Sequence, residues 1–443
     1  MRSRIAKILV AVLIAGMAIP AFAAVQNIMV GGDMEVAGLY RKSFDFDGDS
    51  DSFTFTYMGT RVWVKAELAD NITAMVRLIN ERDFGNDYLR EIEGSIILDL
   101  AYVKIADIMT AGMDLTVGRQ EVQLGEGLVL GSRYRAIDYI GADIGTAALD
   151  YGQQKAFDAV RVDYTFPMAD VTISGIKAKI IETYGDILGV GLTIEDIDLY
   201  ALAMKYNGEI FCLEPYVVYL RSDDSVTLPD GMDLYTLGIR AGLSPMDSLN
   251  ITGEFAKQLG SIDFAGGLDF EGWAALIGAD FSLGGEMAPT ISAGYSHFTE
   301  QDPTATDIEM WIPVFPANIA DRVGKIAYPA VFSGGEGLYL STGVPVLVSS
   351  GLQAFKLGAS IQPTSNMMLG LNWFHLRAIE TPGGIDEVLG NELDLCINYQ
   401  YTEDLSFGLE AGVLFIGDMI DDYGIVADAK NPWQLIGSMK VAF

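Results

Sequence analysis

Charged residues in this chain stand at alternating positions within segments that are otherwise apolar. The basic ones concentrate in the first half, at Arg61, Lys65, Arg77, Arg119, Arg161, Lys205 and Arg240. The acidic ones follow later, at Glu254, Asp280, Glu392, Asp394 and Glu410. Alternate side chains of a strand share a face, so these charges would line one side of a sheet. A basic wall opposite an acidic wall would orient polar solutes, whereas solvated charge without selectivity is the equal alternative.

Catalytic chemistry finds little support in the residue types. The sequence has two histidines, His297 and His375, and Ser296 directly precedes the first. Adjacent residues of a strand point to opposite faces, so Ser296 and His297 cannot form a nucleophile and base pair. The sequence contains no phosphate-binding glycine loop and no Cys/His cluster. We therefore expect neither an enzyme nor a cofactor.

An acidic tract offers a weak candidate for a metal site. Four aspartates alternate there, at Asp45, Asp47, Asp49 and Asp51. Gly48 is misplaced for a calcium loop of the helix–loop–helix kind, and no helix is predicted on either side. A weak divalent-ion site and a simple solvated loop tip both remain open.

Two cysteines, Cys212 and Cys396, lie in predicted strands far apart in the chain. Spacing alone cannot show whether they form a disulfide. We favour two unpaired residues of the sheet.

The first 23 residues predict a cleaved signal peptide and hence export. Arg2, Arg4 and Lys7 precede an apolar run over residues 8–18, and residues 21–23 form an A-x-A cleavage site. An uncleaved anchor is the alternative, but the run is shorter than the ~18–20 residues of a spanning helix. Residues 24–443 are then expected to form a single domain.

Strands recur throughout that domain, and short turns alternate with long polar loops between them. The short connections are 69–71, 107–112, 167–169, 207–208, 244–248, 283–288, 363–366 and 402–404. The long ones are 42–51, 84–95, 124–155, 184–197, 222–231, 260–270, 301–352, 378–389 and 418–431. This pattern predicts an all-β transmembrane antiparallel barrel of about eighteen strands, with short periplasmic turns and long extracellular loops.

Alternation within each strand assigns side chains to the lipid or to the lumen. Val62 and Val64 share one face, and Arg61 and Lys65 share the other. A charge on the lipid face costs roughly 2–4 kcal/mol at the midplane of the bilayer, so the charged face is assigned to the lumen.

Two further strands are assigned in the same way. In segment 156–166 we place Asp158, Arg161 and Asp163 on the lumen face. Lys177 and Lys179 share parity with the apolar residues of their own strand, and a β-bulge would explain this.

The longest loop, 301–352, is predicted to narrow the pore. It contains five prolines and an apolar run over residues 344–348. Loops of this length are usually functional or disordered, and a barrel of this strand number leaves an open lumen unless something fills it. We expect this loop or loop 124–155 to fold inward, and the second would carry Arg133 and Arg135 into the constriction.

The final strand provides an independent indication. One face carries Trp433, Leu435, Gly437, Met439, Val441 and the terminal Phe443. An aromatic last residue on such a strand is similar to the recognition signal for insertion of outer-membrane barrels, whereas an ordinary edge strand is the alternative.

Three segments resemble the alginate-export family of outer-membrane proteins. They are residues 117–121 with 124–127 and 130–131, residues 157–164, and residues 390–395. The resemblance implies an eighteen-stranded passive conduit whose narrow part is lined by arginines and lysines that guide a polyanion. Arg119 and Arg161 match motif positions. A formal net charge of −32 departs from this picture, so the resemblance supports a channel more than it supports alginate as cargo.

We therefore expect a porin of the bacterial outer membrane. Its cargo would be polar or anionic solutes such as sugars, oligosaccharides and small ions. An exporter of an anionic polysaccharide such as alginate is the alternative. Expected partners are outer-membrane lipid and lipopolysaccharide, the barrel-assembly machinery, and a small polar solute or polysaccharide. The acidity argues against nucleic acid as a partner.

Overall fold

Antiparallel strands make up nearly all of the computed structural model. The residues that it describes are 27–44, 46, 52–84, 96–131, 156–181, 197–222, 231–262, 267–302, 304–317, 320–327, 350–381, 383–422 and 428–443. The predicted signal peptide, the four aspartates Asp45, Asp47, Asp49 and Asp51, and the arginines Arg133 and Arg135 lie outside these ranges.

The described residues form nineteen strands and two short helices. The strands are β1 (Asn27–Lys42), β2 (Phe53–Ala69), β3 (Ile72–Asp83), β4 (Ile97–Ile105), β5 (Met113–Gln120), β6 (Phe157–Phe166), β7 (Val171–Ile181), β8 (Ile197–Asn207), β9 (Phe211–Ser222), β10 (Met232–Met246), β11 (Leu249–Ile262), β12 (Leu268–Asp269), β13 (Trp273–Ser282), β14 (Thr290–Phe298), β15 (Leu352–Thr364), β16 (Met367–Arg377), β17 (Val388–Gln400), β18 (Leu405–Ile416) and β19 (Trp433–Ala442). The helices are α1 (Ala320–Val323) and α2 (Asp418–Asp422). Neither is long and apolar enough to span a membrane.

Eighteen of these strands close into a barrel. β1 pairs with both β2 and β19, so the first and last strands complete the ring. At the seam, Gly32 and Phe443 exchange two backbone hydrogen bonds, of 2.8 and 2.9 Å. The remaining strand, β12, pairs only with β11, which also pairs with β13 along most of its length. The predicted closed barrel of about eighteen strands is confirmed.

Connections between the barrel strands alternate between short and long. β2 ends at Ala69 and β3 begins at Ile72, whereas Gln120 and Phe157 bound the much longer connection between β5 and β6. At the short turn before β5, Gly112 has a φ of +84°, a conformation that glycine adopts without steric cost. All short turns therefore lie at one end of the barrel and all long loops at the other.

The two faces of the barrel wall differ in composition. On β2, the outward Val62 and Val64 are 44% and 41% exposed, whereas the inward Tyr57 is 5% exposed. On β13, the outward Ile277 is 54% exposed and the inward Ala274 is fully buried. The outer face therefore exposes an apolar band, and the inner face carries polar side chains and contacts other parts of the chain.

Charged residues of β6 and β7 lie on the outer face of the barrel, and the assignment of Asp158 to the lumen is wrong. Asp158 lies on the outer face, because it shares parity with Val160, which is 46% exposed, and not with the inward Arg161. Lys177 and Lys179 point outward as well, and the expected irregularity of this strand is the register shift between Lys179 and Ile181. Regular pairing therefore carries charge to the outer face near the loop end.

Candidate constriction inside the barrel

Two segments from the long loops lie against the inner wall. Leu128, Val129 and Leu130, from the β5–β6 connection, are at most 1% exposed. They share a buried cluster with Trp311 and Phe315, from the β14–β15 connection. Inner-wall residues of β6 to β13 complete the same cluster. The hydrophobic effect therefore holds both segments inside the barrel.

The two segments are also joined to each other by backbone hydrogen bonds. Leu130 and Phe315 form a parallel β-bridge. The Phe315 N–H donates to the Val129 carbonyl at 3.0 Å, and the Gly131 N–H donates to the Phe315 carbonyl at 2.8 Å. The Ala317 N–H donates to the Gly127 carbonyl at 2.7 Å. We call residues 127–131 with 315–317 the inner ribbon.

Gln258 of β11 fixes the second segment to the wall. Its Nε2 donates to the Ile312 carbonyl at 2.7 Å, and its Oε1 accepts from the Ile312 N–H at 3.0 Å. Gln258 is fully buried, so both amide groups depend on these bonds for satisfaction.

A second anchor follows helix α1. The buried Glu392 of β17 accepts from the N–H groups of Ile326 and Ala327, both at 2.8 Å. Gly324 has a φ of +107°, and a Cβ there would meet the Glu392 carboxylate. Glycine is therefore required where the chain turns onto this wall residue. Val323, Ile326 and Ala327 are buried in a second apolar cluster on this side of the barrel.

A third anchor holds the β5–β6 segment beside β9 and β11. The Glu126 N–H donates to Glu254 Oε2 at 2.6 Å, and the Gly125 N–H donates to Glu214 Oε1 at 3.0 Å. The Tyr216 hydroxyl donates to the other oxygen of Glu254. Acidic side chains of the wall therefore accept hydrogen bonds from backbone N–H groups of the loop. From the sequence alone, Glu254 is identified only as a charge of the lumen.

Glu126 connects the wall to both loop segments through its side chain. Its Oε1 accepts from Arg240 Nε at 2.6 Å, and its Oε2 accepts from Arg322 Nη2 at 3.1 Å. Arg240 lies on β10, and Arg322 lies in α1. These side chains are 20–24% exposed, and the single carboxylate offsets only one of the two guanidinium charges, so the three groups together keep a net positive charge.

Two lysines stand near the acidic wall. Lys325 Nζ lies 2.7 Å from Glu410 Oε2. Burial would lower the pKa of Lys325, but the carboxylates of Glu410, Asp321 and Asp394 raise it above its usual value. Lys356 of β15 donates to the Asp321 carbonyl at 3.1 Å. Positive charge therefore also occurs on the side that the sequence assigns to acids.

The predicted basic wall is offset by acids. Seven of the predicted pore-lining residues point inward, as expected: Arg61, Lys65, Arg77, Arg161, Arg240, Glu392 and Asp394. The arginines pair with neighbours, since Arg61 Nη2 lies 2.7 Å from Asp33 and Arg161 Nε lies 2.8 Å from Asp163. Arg77 pairs with Asp99 and Glu121. Among the described residues, the lumen therefore does not have one purely basic wall opposite one purely acidic wall.

Arg119 does not face the lumen, and this prediction is wrong. It is in register with the outward Asp158, and its Nη1 lies 3.2 Å from that carboxylate. Val117, two residues earlier on the same face, is 45% exposed. Parity counted from Val117 would have placed Arg119 outside.

The remaining sequence-based candidates are placed as follows. Ser296 is buried on the inner face, whereas His297 lies outside and stacks on Trp273 at 4.3 Å. They therefore point apart, as expected.

Cys212 and Cys396 are both free, which confirms that they are unpaired. Among the described residues, no group of three or more His, Cys, Asp and Glu side chains could hold a metal ion.

Sequence reasoning missed four side chains of the constriction. They are Glu126, Arg322, Lys325 and Lys356. Glu126 lies within a motif segment, but nothing in its spacing shows that it contacts Arg240, 114 residues away. The contacts of Arg322 and Lys325 follow from where the long loop packs, which no local pattern records.

The residues that the sequence places on one face of β19 point outward. Trp433 and Leu435 are 39% and 44% exposed, and Trp433 packs against Tyr40 of β1 with ring centroids 4.9 Å apart. Met439 and Val441 follow at the same parity. The terminal Phe443 is largely exposed at the turn end of the barrel.

Comparison with known proteins gives a fold likeness without a close relative. No family model and no curated protein sequence matches the chain. Among solved structures, it is similar to OccK9 (OpdG) of Pseudomonas aeruginosa, at 12% identity and a TM-score of 0.56, covering 95% of this chain and 99% of that one. It is also similar to OccAB1 of Acinetobacter baumannii, at 11% identity and a TM-score of 0.56, covering 96% and 99%.

A third similar structure is OccK8 (OprE) of Pseudomonas aeruginosa. It is 13% identical with a TM-score of 0.57, and the match covers 95% of this chain and 99% of that one. Identities this low establish the shared barrel over nearly the full length of the chain and nothing finer.

Proposed function

We propose that this protein is a porin of the bacterial outer membrane through which polar or anionic solutes diffuse passively. The observation that carries the proposal is a closed barrel with an exposed apolar band outside and charged side chains inside. A barrel is one of the two structures that satisfy all backbone hydrogen bonds in hydrocarbon. The structures that it resembles are those of Occ/Opd outer-membrane porins, which are channels rather than enzymes.

The inner ribbon and helix α1 form the constriction in this proposal. They place Arg240, Arg322 and Lys325 with their acidic partners inside the barrel. Alternating charges at a narrow point favour small polar solutes over apolar ones, because each charge loses water on contact with an apolar molecule. Sugars, oligosaccharides and small ions are therefore the preferred cargo.

Export of an anionic polysaccharide is the weaker candidate. A polyanion needs a continuous basic path, whereas Arg61, Arg77, Arg161 and Arg240 are each already paired with acids. The loop segments also occupy part of the lumen. The solved structures resembled here do not favour an alginate exporter either.

Insertion completes the proposal. The outward face of β19, with Trp433, Leu435, Met439 and Val441 and the terminal Phe443, would be recognised by the barrel-assembly machinery. Replacing Phe443 with Ser should reduce the amount of folded barrel in the outer membrane, measured on unheated gels. An unchanged amount would remove this part of the proposal.

Solute entry into proteoliposomes tests the function. Vesicles that contain the purified protein should swell in iso-osmotic arabinose and in glucuronate, an anionic sugar, because both are small and polar. Long alginate chains should produce little swelling. Swelling no faster than in protein-free vesicles for both small sugars would contradict the proposal, and rapid alginate entry would favour the exporter.

A further inference from the structure

A row of six charged residues crosses the outer face of the barrel near the long loops. Each member is in register with the next across β5 to β10. In strand order the residues are Arg119, Asp158, Lys179, Asp198, Arg221 and Asp233. The sign alternates at every step. We call these six residues the charge row.

The ion pairs that Asp158 and Asp198 form on this face are longer than close ion pairs. Arg119 lies 3.2 Å from Asp158, and Lys179 lies 3.4 Å from Asp198. Close ion pairs are typically about 2.7–2.9 Å. Lys177 reaches the same Asp198 at 3.6 Å, with its side chain 55% exposed. Lys177 therefore has room to approach a further anion from outside the barrel.

An aromatic row lies one register step toward the short turns. Tyr219 stacks on Tyr200 and on Tyr235, with ring centroids 5.8 and 4.3 Å apart. Lys177 Nζ lies 5.3 Å from the centre of the Tyr200 ring. Aromatic girdles mark the level where membrane hydrocarbon ends.

Apolar side chains continue below the tyrosines on the same strands. Leu202, Val217 and Leu237 are 57%, 37% and 43% exposed. Charges on a lipid face are tolerated near the interface and costly at the midplane. The order from apolar to aromatic to charged therefore places the charge row at the level of lipid headgroups.

We propose that the charge row, together with Lys177, binds the phosphate groups of the phosphorylated glycolipid that forms the outer leaflet. This rests on the proposed function, because it requires the loop end to face outside the cell. With Lys177 the patch has four bases and three acids, whereas the whole chain has a net charge of −32. Acidic parts of the surface repel phosphate. A patch in which bases outnumber acids, at the level of the lipid headgroups, attracts it.

Titration with lipopolysaccharide in detergent tests the proposal. The patch variant carries Lys177→Gln, Lys179→Gln and Arg221→Gln. The control removes three bases from the same outer face elsewhere, as Lys42→Gln, Lys257→Gln and Arg377→Gln. We expect the patch variant to bind about fivefold more weakly per removed charge, on the order of 100-fold in all, because each base near an anionic lipid surface contributes similarly. The control should bind nearly as the wild type does.

Three further arms separate the explanations. Lipopolysaccharide stripped of its phosphates should bind the wild type at least about tenfold more weakly, as expected for loss of the charged groups. Inorganic phosphate at equal concentration should not displace the lipid. The variant with Lys177→Arg, Lys179→Arg and Arg221→Lys should retain binding.

Several results would overturn the proposal. Equal losses in the patch and control variants would show nonspecific charge attraction. Equal affinity for the stripped lipid would show that phosphate is not recognised. A changed oligomeric state with unchanged lipid affinity would assign the charge row to a second copy of the chain. Conductance is measured on the same preparations, so failure of the channel and failure of the lipid site are distinguishable.

Discussion

Glu126 is the residue on which both loop segments and the barrel wall converge. Its carboxylate accepts from Arg240 at 2.6 Å and from Arg322 at 3.1 Å, and its backbone N–H donates to Glu254. An anion that reaches these residues meets two arginines, and Glu126 offsets one of their two positive charges. Glu126 therefore limits how strongly the constriction attracts anions.

Glu126→Gln should make the channel more selective for anions. The neutral amide keeps the size of the side chain but leaves two guanidinium charges without an offset. Reversal potentials in a salt gradient across a planar bilayer measure the change. Glu387 forms an exposed ion pair with Arg377. Its substitution Glu387→Gln is the control and should leave the reversal potential unchanged. Equal reversal potentials in wild type and Glu126→Gln would contradict this role.

Glu392→Gln should destabilise the barrel by about 1–3 kcal/mol, since one of two buried N–H groups would face an amide donor. The carboxylate now accepts from both Ile326 and Ala327. Urea titration in detergent micelles measures the free energy of unfolding. Glu387→Gln serves again as the control and should cost less than about 1 kcal/mol, as for exposed pairs. Equal stability losses would show that the anchor is not important.

The inner ribbon is the element that we propose narrows the lumen of the barrel. It joins residues 127–131 and 315–317, which belong to connections far apart in the sequence. Its apolar side packs on the wall, and wall residues such as Gln258 fix its backbone. Three backbone hydrogen bonds join the two segments, in addition to the separate contacts of each segment with the wall.

Deleting residues 305–348 should raise single-channel conductance, because it removes one strand of the inner ribbon together with α1. Planar-bilayer recordings at fixed salt measure the step size. A deletion of residues 185–194, in another long connection, is the control and should change the step less. If both deletions left the conductance at its wild-type value, the predicted constriction would be excluded.

Elements that depend on local pattern could be predicted from the sequence, and those that depend on distant contacts could not. Alternation of Val62 and Val64 with Arg61 and Lys65 gave the faces of β2, and turn lengths gave the strand count. The position of the inner ribbon depends on contacts between residues such as Gln258 and Ile312, 54 positions apart. No periodicity within either segment encodes such a contact.

The error at Arg119 has a different physical origin. Its motif resemblance suggested a pore-lining role, whereas the parity of Val117 indicates the outer face. A strand places side chains by parity, so parity should outweigh a motif wherever the two disagree. The bulge predicted for the strand of Lys177 and Lys179 is found only after Lys179, so both lysines stay on the outer face.

At the scale of the whole molecule, the barrel separates two surfaces of opposite character. The outer band exposes residues such as Val30, Leu202 and Ile277, which would aggregate in water and are stable in lipid. The inner surface buries or pairs charges such as Arg41, Arg77 and Glu392. A chain with a net charge of −32 can expose this apolar band because its charge is directed inward and toward the loops.

The folded barrel should therefore require detergent and should resist unfolding until heated. Every barrel strand pairs on both sides, so no sheet edge is left from which unfolding could begin. Electrophoresis of unheated and heated samples measures this as a difference in mobility. A protein that remains monomeric in buffer without detergent would contradict a lipid-facing outer band.

Single-channel recording of the purified wild-type protein in a planar bilayer tests the central claim most directly. A water-filled passage through a closed barrel predicts discrete current steps that increase linearly with voltage and require no energy source. Reconstituted protein with heat-modifiable mobility that produces no current steps over a wide voltage range would contradict the account.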